Sequence, residues 1–132
     1  MRKTVMTILI FATVGLLLTG CAGLSSLGSR SATVTYNDTA WCLPLKLRRV
    51  LKRVARRYGP VTVHSTHRWW LENRRKGGAS RSLHLQCRAA DFSVRGDPSS
   101  VIRFLKSQRA VGGYKYYPGG FYHIDTGPRR TW

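Results

Sequence analysis

The chain has 132 residues, 23 Lys and Arg against 5 Asp and Glu, and a formal charge of +18. That length gives room for one small domain with a modest core, and a second is not expected. So basic a surface seeks anions.

Arg2 and Lys3 precede an apolar block from about Val5 to Leu18, and Leu18-Thr19-Gly20-Cys21 follows. The block is shorter than the roughly 20 residues of a membrane span. Small residues ahead of a cysteine suit a peptidase, so residues 1–20 read as a lipoprotein signal peptide and Cys21 as the lipidated N-terminus; an uncleaved signal anchor is the alternative. Residue 22 is Ala, not the Asp that retains lipoproteins in the inner membrane. By resemblance to that sorting rule, the chain is expected at the periplasmic face of the outer membrane, attached through Cys21. Peptidoglycan carboxylates and anionic lipid are the anions of that compartment, so no nucleic-acid partner is expected despite the charge. A plain solvated basic face, or the arginine bias of a GC-rich genome, is the alternative account of much of the charge.

Lipidation of Cys21 leaves Cys42 and Cys87, and an oxidising compartment commonly closes such a pair. A Cys42–Cys87 disulfide would stabilise a small fold by roughly 2–4 kcal/mol. The competing reading makes Cys87, three residues after His84, a fourth metal ligand.

Residues 21–40 carry Cys21 and then a Gly-, Ser-, Ala- and Thr-rich stretch without apolar period, which reads as a flexible tether; residues 41–132 are left as the folded domain. Pro44 stands at the start of an amphipathic helix whose stripe is Leu47, Val50, Leu51, Val54, Ala55 and Tyr58, stopped by Gly59-Pro60. Its Lys and Arg residues read as the solvated side, with contact to a polymer or membrane as the alternative. Residues 61–66 alternate and are β-branched, giving a strand that delivers His67 and Arg68. Residues 69–73 suggest a short helix, 74–78 a basic loop, and Ala89–Val94 a second strand. Asp97 as N-cap and Pro98 in the first turn open a helix through Val101, Ile102, Phe104 and Leu105. Residues 111–117 and Phe121–Asp125 are strands joined at Pro118-Gly119-Gly120. These elements predict an α+β domain, a small antiparallel sheet with helices packed on it.

Two stretches put histidine beside carboxylate: His84 with Asp91, and His123 with Asp125. Acids are scarce here, yet both aspartates lie in apolar, strand-like surroundings, and a buried carboxylate costs several kcal/mol unless a cation or metal compensates it. The seven-residue spacing from His84 to Asp91 would put them on opposite sides of one strand, so a loop at 85–88 must intervene. His123 and Asp125 are two apart on one strand and face the same way. Two histidines and one carboxylate, with a fourth position for water, form the ligand set of a catalytic zinc site. The residues therefore point to a metal-dependent hydrolase.

Ser82, His84, Ala89 and Asp91 fit the pattern Ser-x-His-x-x-Gly-x-Ala-x-Asp, with Cys87 in place of the glycine. Val111-Gly112-Gly113, Tyr116-Tyr117-Pro118 and the run from Phe121 to Pro128, with Arg130 and Trp132, resemble the close of the murein endopeptidase K group. Ser65-Thr66-His67-Arg68 resembles that family's Ser-Gly-Tyr-Arg. On these residues the chain, over roughly 42–132, is similar to the zinc peptidases of the D-Ala-D-Ala metallopeptidase superfamily, which includes lysostaphin-type enzymes and the Hedgehog signalling domain. The resemblance implies His84, Asp91 and His123 as zinc ligands, with water in the fourth position. It implies Arg68 as the group that stabilises the carbonyl oxygen or binds a substrate carboxylate, and Asn73 and Ser82 as residues that hold the peptide.

Many relatives carry an acid three residues before the last zinc histidine, where this chain has Gly120. Proton transfer is then assigned to Asp125, with His67 second; Asp125 is equally open as the partner that orients His123. His64 is expected to be a core or surface histidine. Trp69, Trp70, Tyr116 and Tyr117 can stack on sugar rings, but at least one of each pair is expected in the core, and Trp132 is expected to pin the terminus. The resemblance implies a zinc peptidase that cuts amide bonds in peptidoglycan stem peptides or cross-links, with an endopeptidase ahead of a D,D-carboxypeptidase; a monomer is expected. A zinc-containing peptidoglycan-binding lipoprotein without catalysis is the alternative of another class, which the missing acid at 120 allows.

Overall fold

The computed structural model describes residues 32–132; the expected signal peptide and Cys21 lie outside them. Helix α1 (Leu45–Tyr58) forms where the apolar stripe predicts it, begins after Pro44, and ends at Gly59, whose φ of 104° turns the chain while its N–H closes on the Ala55 carbonyl. Leu47, Val50, Leu51, Val54 and Ala55 are buried along its inner side. Helix α3 (Pro98–Ser107) starts as expected, the Asp97 carboxylate accepting the Ser100 amide. Between them in the chain lie the short α2 (Trp70–Arg75) and a single 3-10 turn, Leu83–Gln86.

Five strands, β1 (Val34–Tyr36), β2 (Val61–Ser65), β3 (Ala89–Val94), β4 (Tyr114–Tyr117) and β5 (Phe121–Asp125), form one sheet in the order β1-β2-β3-β5-β4. All pairs are antiparallel except β1 with β2, which α1 connects as a parallel pair. One face carries Val61, Val63, Ala90, Phe92, Tyr122 and Ile124 and packs on α1 and on Val101 and Leu105 of α3. The alternation of β3 and β5 sends Asp91, His123 and Asp125 to the opposite face.

Strand β1 corrects the expectation of a tether through residue 40. Val34 and Tyr36 pack against the core, Asn37 N–H bonds the Val63 carbonyl at 2.9 Å, and Val61 N–H bonds that of Thr33 at 3.0 Å. Three residues at a sheet edge, Val-Thr-Tyr, are too few to show a period. A second departure is the bulge in β2. Val63 faces Phe92 and Ser65 faces Asp91, so β2 gains one residue at His64. That residue carries Ser65 from the core side, where Val61 and Val63 point, to the side of Asp91 and Arg68.

The disulfide joins Cys42 to Cys87 with 5.8 Å between the Cα atoms, and so removes Cys87 from the metal ligands. Trp69 and Trp70 are both exposed, against the expectation that one would be buried. Tyr116 packs on Tyr122, as the core member of its pair. His64 is an exposed histidine bonded to Ser93 Oγ at 2.9 Å. Among the described residues no helix is long and apolar enough to cross a membrane.

Candidate metal centre

Ser82 caps the 3-10 turn, its Oγ accepting the His84 amide at 3.4 Å, and the turn closes on Cys87 with φ 52° and ψ 34°. That left-handed conformation suits glycine, the residue the family pattern has at this position. The chain can then enter β3 so that His84, from the turn, reaches Asp91, from the strand. Register pairs Asp91 of β3 directly with His123 of β5.

The three side chains meet at one point. Asp91 Oδ1 lies 2.8 Å from His123 Nδ1 and 3.2 Å from His84 Nε2, and the two ring nitrogens are 3.3 Å apart. Their outer nitrogens are already committed. His84 Nδ1 is 2.9 Å from the Thr66 carbonyl and His123 Nε2 is 3.0 Å from Asp125 Oδ2, and both of those oxygens can only accept. In neutral rings the protons therefore sit on the outer nitrogens, and three lone pairs converge with no donor between them. A cation resolves that conflict, and these are the three buried groups able to hold one metal ion. A proton on His123 answers the same need: burial lowers its pKa, but the hydrogen bonds of Asp125 and Asp91 outweigh burial and raise it above the ordinary value. Burial likewise pushes the Asp91 carboxyl up, yet the bonds from His123 and His84 hold it well below the usual range.

Arg68 takes the second oxygen of Asp91 through Nη2, and its Nε bonds Ser65 Oγ at 3.0 Å. Asp91 thus turns Oδ1 to His84 and His123. Asp125 stands behind His123, fully buried, and accepts from five donors: His123, Gly113, Gly127 and two nitrogens of Arg130. Burial raises its pKa, but those bonds, His123 first, bring it down to about 2. With its oxygens so engaged, Asp125 has the geometry of the partner that orients His123, one of the two roles open to it in the sequence.

The centre opens into a cleft of about 600 Å³ whose walls include Arg68, Lys76, Arg81, Arg130, Tyr117 and Trp132. Ser82 lines it. Trp132 meets the His123 ring edge-on at 5.3 Å, so the terminus is pinned over the centre itself. His67 and Asn73 do not line this cleft. His67 packs edge-on against Trp69 in a separate groove. Asn73 is buried under the loop, its Nδ2 bonding the Ala79 carbonyl at 2.9 Å, which braces the cleft wall rather than touching its contents. Gly120 lies exposed in the β4–β5 turn, and Asp91 and Asp125 are the cleft's two carboxylates.

Sequence reasoning missed Thr66 and Asp38. Asp38 Oδ2 accepts the Thr66 amide at 2.8 Å and its hydroxyl at 3.2 Å, fixing the carbonyl that orients His84. The signal was available: one of only 5 acids in the chain deserved a partner.

A small α+β domain with a buried His-Asp-His cluster able to hold a metal ion is the class that fold and site define. The chain belongs to the peptidase M15 family, whose sequence model matches residues 23–125. It is 43% identical over 63 residues to the peptidoglycan L,D-endopeptidase MepK of Escherichia coli (strain K12), a match covering 47% of this chain and 35% of that protein. It is 40% identical over 58 residues to the probable peptidoglycan L,D-endopeptidase MepK of Haemophilus influenzae, covering 43% of this chain and 31% of the relative. The chain thus spans about a third of the length of the curated relatives it matches. No solved structure matches it significantly.

Proposed function

We propose that this chain is a zinc-dependent peptidoglycan peptidase, an endopeptidase that hydrolyses amide bonds in stem peptides or their cross-links. The observation that carries the proposal is the convergence of His84 Nε2, Asp91 Oδ1 and His123 Nδ1, each fixed from behind, at the floor of an open cationic cleft. Mixed nitrogen and oxygen donors with an open position suit catalytic zinc. Zinc held there supplies Lewis acidity, which polarises an amide carbonyl and acidifies water. The remaining work falls to the chain. Thr66 and Asp125 hold the two rings, and Arg68, bonded to the far oxygen of Asp91, would stabilise the charge that a carbonyl oxygen gains. Arg81 and Lys76 on the wall favour a substrate with free carboxylates, as stem peptides have. The relatives named above favour an endopeptidase over a D,D-carboxypeptidase. Attachment to the periplasmic face of the outer membrane through Cys21 belongs to the same proposal and rests on the N-terminal sequence.

A second reading has one observation in its favour. Neither carboxylate of the cleft is free to act as a base, which suits a zinc-containing peptidoglycan-binding protein without turnover. Incubation of zinc-loaded and chelated protein with purified sacculi and cross-linked muropeptides, with product masses measured, separates the two. Cleavage that chelation and His84→Ala both abolish supports the peptidase, and the masses name the bond. Binding of sacculi without any cleavage by folded, zinc-loaded protein rejects it.

A further inference from the structure

All of the chain's 4 tryptophans are exposed, and Trp41, Trp69 and Trp70 stand outside the cleft that Trp132 lines. Trp41 is 82% exposed, Trp69 73% and Trp70 62%, with Leu71 at 50% beside them. An indole that packs removes a large apolar area from water, so a domain this small leaving three outside forgoes much of its available burial. Contiguous exposed apolar surface marks a place where something else binds. Trp41 and Trp69 wall a groove containing Leu85 and the Cys42–Cys87 pair, and Trp70 and Leu71, next in sequence, open α2.

The charge beside it has one sign. Arg74 follows Trp70 by four residues and Arg75 follows Leu71 by four, so each guanidinium lies one turn along from an apolar side chain on the same face of α2. Neither has a partner among the described residues, and both are exposed. Glu72, the acid of this segment, is paired with Lys76 at 2.7 Å. Of the other carboxylates, Asp38 lies beside Thr39 at the groove and is engaged by the Thr66 amide and hydroxyl, Asp97 caps α3, and Asp91 and Asp125 are buried in the candidate metal centre.

We propose that Trp41, Trp69, Trp70 and Leu71, with Arg74 and Arg75, form a docking face for an anionic phospholipid surface. Tryptophan sits at the headgroup level, where its body is apolar and its N–H is wet. Arginine beside it meets lipid phosphate, and each basic residue near an anionic surface raises partition roughly fivefold. A sugar polymer is the lesser match. Rings stacked on indoles need partners for their hydroxyls, and the groove offers only Thr39, His67 and Gln86, while Leu71 gives a sugar nothing. The face is distinct from the metal cleft, and the inference does not depend on what that cleft cleaves.

The test uses the full chain, so that its N-terminal segment is common to every sample, with vesicles of phosphatidylglycerol and phosphatidylethanolamine against phosphatidylcholine alone. Tryptophan emission should shift to the blue on the anionic vesicles and be quenched by brominated acyl chains, and Trp69→Ala with Trp70→Ala should lose most of both signals. Arg74→Glu with Arg75→Glu, at two solvated positions that leave folding untouched, should lower partition on anionic vesicles by roughly thirtyfold or more and leave partition on phosphatidylcholine unchanged. Emission that neither shifts nor is quenched on anionic vesicles overturns the proposal. So does partition unaffected by the double charge reversal. A shift produced by peptide-free glycan strands and not by vesicles assigns the face to sugar and overturns it as well.

Discussion

Asp125 accepts the Nε2–H of His123 through Oδ2 at 3.0 Å, and that same oxygen takes Arg130 at 2.7 Å. The other oxygen takes the amides of Gly113 and Gly127 at 2.9 and 2.8 Å. Any influence of this carboxylate on chemistry in the cleft therefore passes through the ring of His123, whose tautomer it sets.

Asp125→Asn should accordingly act on metal binding. Zinc affinity, measured by competition with a chromophoric chelator, should fall about 10–100-fold, the usual cost of losing such an outer partner. At saturating zinc most of the activity should return. Activity that stays lost when zinc occupancy is full would make proton transfer the role of Asp125.

Gly113→Ala should reproduce that phenotype from a position that touches no metal ligand. A Cβ there would collide with both oxygens of Asp125, which five donors hold in place and which has no room to give. The expected outcome is a comparable fall in zinc affinity together with a lower melting temperature. An alanine variant with full zinc affinity would show that Asp125 can shift without disturbing His123.

The pH dependence of the chelated protein has a definite sign. Asp125 is lowered from 3.8 to about 2, so the stability it contributes is present above the ordinary value and lost as pH falls through about 2. Asp91 acts in the same direction. His123 is raised above 6.5, so its contribution is complete below that value and is lost as pH rises through the higher one. Thermal unfolding with chelator present should therefore show greatest stability between about pH 4 and pH 6.5. Zinc competes with the His123 proton, so added zinc should stabilise more as pH rises through neutrality. A chelated protein that gains stability above neutrality contradicts this.

Cys87 holds a left-handed backbone that costs a non-glycine residue roughly 1–2 kcal/mol. Both Cys42→Ala and Cys87→Gly remove the disulfide, worth roughly 2–4 kcal/mol, but only the second relieves the backbone. Denaturant unfolding should find Cys87→Gly the more stable of the two by about 1 kcal/mol. Equal stabilities would mean that the turn relaxes once the crosslink is gone.

Much of this architecture could be read from side-chain periodicity. Helix α1 announces itself through Leu47, Val50, Leu51 and Val54, and α3 through Asp97 and Pro98; the β4–β5 turn follows from Pro118-Gly119-Gly120. His84, Asp91 and His123 stood out because carboxylates are rare in so basic a chain. What escaped notice depends on contacts between distant segments. Strand β1 is three residues long and exists because β2 offers it an edge. The role of Asp125 follows from Gly113, Gly127 and Arg130 arriving around it, which no local pattern encodes. Trp69 and Trp70 defied the usual fate of indoles, and sequence has no means of saying which aromatic side chains a fold will leave outside.

The extra residue at His64 has a consequence for how this protein can be altered. Composition in the stretch from Val63 to Ser65 can vary while the backbone keeps its path, but its length cannot. Deleting a single residue there would turn Ser65 inward and draw Thr66 and Arg68 out of line with His84 and Asp91, undoing both supports of the centre without changing one of its ligands. In a mutagenesis library, point substitutions at these positions should be graded in effect, whereas one-residue deletions should be uniformly null.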